Sequence, residues 1–123
     1  MSVLVIIVAI SFAGMGAAAL VRPAVIWAPF GVAPTTPAAR NEIRAVYGGF
    51  GIAVAIVLVV ADNASAGFRD GALVATAVAL AGMAAGRIAG FVVEPRGVGR
   101  FTVLFGVIEV VLALALVQAA LPV

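Results

Sequence analysis

Four long apolar runs follow one another along the 123 residues, and short polar segments separate them. Each run comes close to the roughly 20 residues that a helix needs to cross the hydrocarbon core of a bilayer. The pattern predicts an all-α integral membrane protein, a bundle of four transmembrane helices that forms a single membrane domain over residues 1–123. The predicted spans are about 2–21, 38–61, 71–93 and 101–121.

Two of these boundaries carry local signals. Arg22-Pro23 ends the first run, and Thr36-Pro37 is a good N-cap and N1 pair for a second helix that begins before its apolar core. The first run has an alternative interpretation as a signal peptide, because Ala17-Ala18-Ala19 resembles a cleavage region. The lack of Lys or Arg ahead of it argues against cleavage.

Composition narrows the class further. Hydrophobic residues make up 66% of the chain and charged residues 10%, whereas a soluble domain keeps about a quarter of its residues charged. The chain has no Cys and no His, so we predict no metal site and no cofactor. Its seven cations are too few for a nucleic-acid surface. All seven are Arg, which together with the Ala, Val and Gly bias suggests a bacterial protein of the inner membrane.

The distribution of arginines predicts an orientation. Alternation of four spans puts the first and third connections on one face and both termini on the other. The first face carries Arg22, Arg40, Arg44, Arg96 and Arg100. The second face has Arg69, offset by two aspartates. The positive-inside rule therefore predicts a multi-pass protein with both termini outside the cytoplasm.

Small residues form helix-packing patterns in three of the spans. The third span contains a ridge with four-residue spacing, the second has a glycine pair, and the first has Ala9, Ala13 and Ala17 at the same spacing. The predicted packing glycines are Gly48, Gly49, Gly82, Gly86 and Gly90. Small residues let helices approach closely in lipid. Packing within the bundle is the first interpretation, and a homodimer seam on the third helix is the alternative.

Two charges lie inside apolar runs, and topology brings them to one leaflet. Arg87 precedes Phe91 by about 6 Å of helix, and Glu109 follows Phe101 by about 12 Å, at 1.5 Å per residue. The third helix runs toward the face from which the fourth returns. Both charges should therefore lie in the leaflet that also receives Arg44. A salt bridge, a ligand site facing a cavity, and separate unpaired roles all remain open.

The start of the second helix adds polar groups to this leaflet. An α-helical wheel puts Asn41, Arg44, Gly48, Gly51 and Ala55 on one stripe and Glu42 opposite. We expect Asn41 and Arg44 to face the bundle, where Glu109 has room for two arginines. Glu42 either reaches another helix or stabilises the helix N-terminus. Tyr47 either belongs to the interfacial belt or donates a hydrogen bond into the cluster.

Three motifs follow one another: Asn41-Glu42-x-Arg44-x-x-Tyr47-Gly48-Gly49, then Gly86-Arg87 with Gly90, then Glu109. In this order they resemble a family of small bacterial four-helix membrane proteins, domain of unknown function 4345. The resemblance covers nearly the whole chain. It implies the four-helix fold and supports the choice of site residues, but it implies no activity. The predicted polar or ligand-binding cluster is Asn41, Glu42, Arg44, Tyr47, Arg87 and Glu109.

Three classes of function fit these residues. The first is binding or transport of a small anionic or lipid-like ligand at the Arg/Glu cluster, with Glu109 as counter-ion. The second is a structural or accessory subunit of a larger membrane complex, in which the cluster only fixes helix register. The third is a membrane enzyme with Glu109 as acid or base. We do not expect an enzyme, because no Ser, Thr or Tyr has an evident His or Lys base.

Overall fold

The computed structural model describes residues 1–121, and it is all-α with no strand in that range. Four helical stretches are long and apolar enough to cross a membrane, which confirms the predicted multi-pass membrane class. The α-helices are α1 (Val3–Val21), α2 (Ala24–Trp27), α3 (Pro37–Ile43), α4 (Phe50–Asp62), α5 (Ala66–Val93) and α6 (Arg100–Ala120). A 3₁₀ turn (Ala28–Phe30) follows α2, and a π-helical turn (Arg44–Gly49) joins α3 to α4.

The chain forms two compact units, one over Met1–Asn63 and one that begins at Ala64. The first unit contains α1 to α4, so the second predicted span is the continuous helical stretch Pro37–Asp62. The second unit contains α5 and α6. Each unit thus pairs two membrane-length helices.

Side-chain caps set the beginnings of several helices. The Thr36 hydroxyl accepts a hydrogen bond from the Ala39 N–H at 3.0 Å, which confirms the predicted cap. The Ser65 hydroxyl accepts from the Phe68 N–H at 3.4 Å, so α5 begins at Ala66 rather than at predicted residue 71. The prediction from the apolar run omitted the first turn of α5, because Arg69 and Asp70 precede the run. A capped helix can nevertheless include polar residues in its first turn.

In the first unit, α1 packs against the second span at three glycines. A Cβ on Gly16 would lie 2.7 Å from the Gly48 carbonyl oxygen, and a Cβ on Gly51 would lie 2.8 Å from the Phe12 carbonyl oxygen. The helices therefore touch backbone to backbone, as small residues permit in lipid. Gly48 is buried at this contact, whereas Gly49, the other predicted packing glycine of this span, is exposed.

The buried face of α1 differs from the predicted alanine ridge. Ala9 is buried, but Ala13 is half-buried and Ala17 is exposed. The buried residues of α1 are Val5, Val8, Ala9, Phe12, Gly16 and Ala19. A four-residue period drifts around a helix of 3.6 residues per turn, so a ridge of fixed spacing leaves the packed face.

The π-helical turn changes which residues of the second span face α1. The Phe50 N–H bonds to the Ala45 carbonyl five residues back, so this turn holds one residue more than an α-helical turn. Ile43, fully buried, therefore shares a face with Gly48 at a spacing of five residues. Asn41 and Arg44, which the α-helical wheel put on that stripe, are both exposed.

In the second unit, α5 and α6 pack along two complementary faces. The buried residues are Leu73, Ala77, Leu80 and Ala84 on α5, and Glu109, Ala113, Leu116 and Ala120 on α6. Large side chains on each helix alternate with alanines. At the far end from the connecting loop, an Arg69 Nη1 donates to the Ala119 carbonyl oxygen at 3.4 Å. This bond satisfies a carbonyl of the last turn of α6.

The predicted glycine ridge of the third span lies on another face of α5. Gly82, Gly86 and Gly90 are exposed, and a Cβ on any of them would meet no atom within 4 Å. The α5 residues that pack on α6 are offset from this ridge around the helix. The ridge therefore takes no part in the α5–α6 contact.

We predict that Gly16→Ala lowers the free energy of unfolding in detergent by about 1–3 kcal/mol, the usual cost of overpacking. The added methyl group would press on the backbone of Gly48 and Ile52, so the two helices must separate. Thermal unfolding followed by circular dichroism measures the change. The matched control is Gly14→Ala, where nothing lies within 4 Å and only helix propensity changes. Equal melting temperatures for the two variants would contradict the close backbone contact.

Candidate functional site

Arg87 and Glu109 form a two-pronged ion pair between α5 and α6. Arg87 Nε donates to Glu109 Oε1 and to Oε2, each at 2.9 Å, and Arg87 Nη2 donates to Oε1 at 2.7 Å. Of the interpretations that the sequence left open for these two charges, a direct salt bridge is the one observed. Such charge-assisted, multiply bonded pairs also fix the relative orientation of the two groups.

Helical periodicity places both side chains in the α5–α6 contact. Arg87 follows Leu80 and Ala84 at spacings of seven and three residues, and Glu109 precedes Ala113 and Leu116 by four and seven. Glu109 is only 5% exposed. An isolated carboxylate there would be costly to bury, and the arginine compensates for the lost hydration.

The rest of the Arg87 side chain rests on α6. A Cβ on Gly106 would lie 3.5 Å from Arg87 Cδ, an ordinary van der Waals distance, so the arginine stem passes close to this position. The guanidinium carbon lies 5.9 Å from the centroid of the Phe105 ring, within the range of a cation–π contact. The Arg87 side chain retains 28% exposure, so it also reaches the surface of the hairpin.

An apolar groove of about 430 Å³ runs along the surface between α5 and α6. Valines from α6 form much of its wall, and Phe91 and Ile88 line it from α5. The lining residues are Ala84, Arg87, Ile88, Phe91, Val98, Thr102, Val103, Gly106, Val107, Val110 and Val111. Its volume falls within the range of small-molecule sites. We refer to it as the apolar groove.

A second groove of about 330 Å³ lies at the loop end of the hairpin, and we refer to it as the polar groove. Glu94 and Arg96 line it together with Gly90 and Gly97. Four residues line both grooves, namely Arg87, Phe91, Val98 and Thr102. The two grooves are therefore adjacent parts of one surface, apolar along the helices and charged at the loop.

Two glycines shape the loop that forms the polar groove. Gly97 and Gly99 have φ of 82° and 83°, in the left-handed region that favours glycine. α6 then begins directly after Gly99 without a side-chain cap. Thr102 lies at the boundary of the two grooves, and its hydroxyl donates to the Val98 carbonyl oxygen at 3.0 Å. The hydroxyl oxygen keeps capacity to accept a further hydrogen bond.

The other predicted site residues belong to the first unit. Arg44 Nε donates to the Leu20 carbonyl oxygen at 3.1 Å, which satisfies an acceptor in the last turn of α1. Asn41 and Glu42 are exposed, and Tyr47 is half-buried. The structure thus joins Arg87 to Glu109 within one unit and Arg44 to α1 within the other. A single cluster of all six residues stays a prediction.

Three polar residues of the polar groove, Glu94, Arg96 and Thr102, are not among the predicted site residues, whereas Arg87 is. Glu94 and Arg96 belong to a short connection and Thr102 to an apolar span, so none of them stands out alone. A usable signal was present, since Glu94-Pro95-Arg96-Gly97-Val98-Gly99 concentrates charges and glycines next to the span that carries Arg87.

Residues 1–120 match the family model described as Domain of unknown function (DUF4345). The chain belongs to this family. The match covers both units of the DUF4345 fold seen here, including Arg87, Glu109 and the polar groove. Comparison with curated proteins gives no match, and comparison with solved structures gives none either.

For this DUF4345 protein we predict that Glu109→Gln lowers the free energy of unfolding in detergent by about 3 kcal/mol, because it leaves the partly buried Arg87 without its counter-charge. The double variant Arg87→Gln/Glu109→Gln should recover part of this loss. A double-mutant cycle from thermal unfolding measures the coupling. Glu42→Gln, at an exposed position, is the matched control and should change little. Strictly additive effects of the two site substitutions would show that the pair does not contribute as a unit.

Proposed function

We propose that the protein binds an amphiphile on the α5–α6 hairpin, with its hydrocarbon chain in the apolar groove and an anionic group in the polar groove. The observation that carries the proposal is the continuity of the two grooves through Arg87, Phe91, Val98 and Thr102. A chain-shaped apolar surface that ends at charged residues has the same polarity pattern as a membrane lipid.

The walls of the apolar groove support a hydrocarbon occupant. Most of its lining side chains are aliphatic or aromatic, and the groove extends along α6 from Thr102 to Val111. This distance is about 14 Å at 1.5 Å per residue, about half the thickness of the hydrocarbon core. A single acyl chain of one leaflet matches such a length. The groove is open along its side, so a lipid would enter it laterally from the bilayer.

The charges at the polar end support an anionic group in the ligand. Three hydrogen bonds from Arg87 already go to Glu109, so much of its charge is compensated. Arg96 lies on the exposed loop and lines the same groove. We therefore assign the main contact with the ligand anion to Arg96, and a supporting electrostatic contribution to Arg87. Glu109 is the counter-ion that holds Arg87 in place.

A role as a structural or accessory subunit is the second candidate. The observation that favours it is the Arg87–Glu109 pair itself, because its geometry sets the register of α5 against α6 without any ligand. Acid–base chemistry at Glu109 has less support, since this carboxylate is buried against Arg87 and the residues that line the two grooves do not include it. Transport is a further step that lipid binding would precede.

We predict that lipid copurifies with the protein and that groove substitutions remove it. Native mass spectrometry after mild detergent extraction measures the fraction of protein that carries a lipid. Val103→Trp should fill the apolar groove, and Arg96→Gln should weaken the polar contact, so that each variant retains about a tenth of the wild-type lipid, equivalent to about 1.4 kcal/mol.

Matched controls exist for both substitutions. Val78 is exposed on α5 and does not line either groove, so Val78→Trp tests the effect of a surface tryptophan. Arg22 is an exposed arginine of the first unit, so Arg22→Gln tests the loss of one positive charge. Lipid retention that is equal in the groove variants and in their controls would reject the groove as a binding site and leave the structural role.

A further inference from the structure

The charges of the polar groove are balanced, and this balance restricts the headgroup that the groove accepts. Of the three charged side chains that line it, Arg87 is paired with Glu109 behind the groove. Glu94 and Arg96 remain, one negative and one positive. No ion pair joins these two side chains, and both are exposed. The groove therefore offers a separate anion and a separate cation to a ligand.

We infer that the ligand is a zwitterionic phospholipid whose headgroup places its phosphate against Arg96 and a primary ammonium against Glu94. This inference rests on the proposed function and specifies its ligand class. Arg96 and Glu94 are two positions apart, so their Cα atoms are separated by at most about 7 Å. A compact headgroup with both charges close together, such as phosphoethanolamine, matches this short separation.

The carboxylate also discriminates among other phospholipids. A headgroup with only negative charge would bring a phosphate close to Glu94 with no cation to compensate, and like charges at short distance repel. Arg100 does not relieve this repulsion from within the groove, because its guanidinium carbon lies 5.2 Å from the Phe101 ring centroid and it is not a lining residue. Purely anionic phospholipids are therefore the weaker ligands.

The aromatic content of the groove separates a primary ammonium from a quaternary one. Sites for quaternary ammonium groups use cages of several aromatic rings, since such a cation has no N–H to donate. Phe91 is the aromatic residue that lines the polar groove. A primary ammonium, in contrast, donates hydrogen bonds directly to a carboxylate such as Glu94. The groove chemistry thus favours an ethanolamine head over a choline head.

The test is a competition among three phospholipids with identical acyl chains, followed by native mass spectrometry of the full-length protein in detergent. The headgroups are ethanolamine, choline and glycerol. The wild-type protein should bind the ethanolamine lipid about threefold better than either of the others, within the range that an exposed charge pair provides. Glu94→Gln should remove this preference, and Arg96→Gln should reduce binding of all three lipids.

Asp70→Asn, at the end of α5 away from both grooves, serves as the control for loss of a partly exposed carboxylate and should keep the wild-type preference. The unfolding temperature of Glu94→Gln should stay close to that of the wild type, because Glu94 is exposed. Equal binding of the three lipids by the wild type, or a preference that survives Glu94→Gln, would overturn the zwitterion assignment while lipid binding itself stands. If the wild-type protein binds these lipids no better than the groove-filling variant Val103→Trp does, the proposed function is overturned instead.

Discussion

A carboxylate in the middle of an apolar helix needs a compensating cation, and the second unit is arranged around this requirement. Glu109 is nearly fully buried, and Arg87 of the neighbouring helix supplies three hydrogen bonds to it. The register of α5 and α6 follows, since sliding either helix by one turn, about 5.4 Å, would break the pair. The same pair brings the Arg87 side chain over Gly106 and to the rim of both grooves.

The contacts between the membrane-length helices differ in kind between the two units. In the first, Gly16, Gly48 and Gly51 let α1 and the second span touch along their backbones, so close van der Waals contact stabilises the pair. In the second, alternating leucines and alanines set the spacing and one ion pair adds direction. The second arrangement leaves polar chemistry at a groove, which is why the proposed ligand site lies there.

The sequence was sufficient for the four spans and for bringing Arg87 and Glu109 to a similar depth on neighbouring helices, because length, hydropathy and antiparallel topology determine both. Their direct ion pair was one of three interpretations that the sequence left open. It was not sufficient where local backbone geometry decides the outcome. The π-helical turn puts Ile43 on the packed face in place of Asn41 and Arg44. A helical wheel assumes a constant α-helical period, so it does not predict such a turn. The polar groove depends on the path of the loop around Gly97 and Gly99, which residue types alone do not specify.

The π-helical turn divides one membrane helix into two parts, and the residues before it and after it have different rotational positions relative to α1. Residues that follow it, such as Gly51 and Ala55, keep an ordinary α-helical phase against α1. Removing one residue from Arg44–Gly49 would restore α-helical winding and rotate everything before it by about 100° relative to the packed face. The direction in which the polar residues at the start of this span point is thus set independently of the packing of its apolar core. Such a deletion would re-aim Arg44 and Ile43, whereas Gly51, which follows the turn, would keep its place against α1.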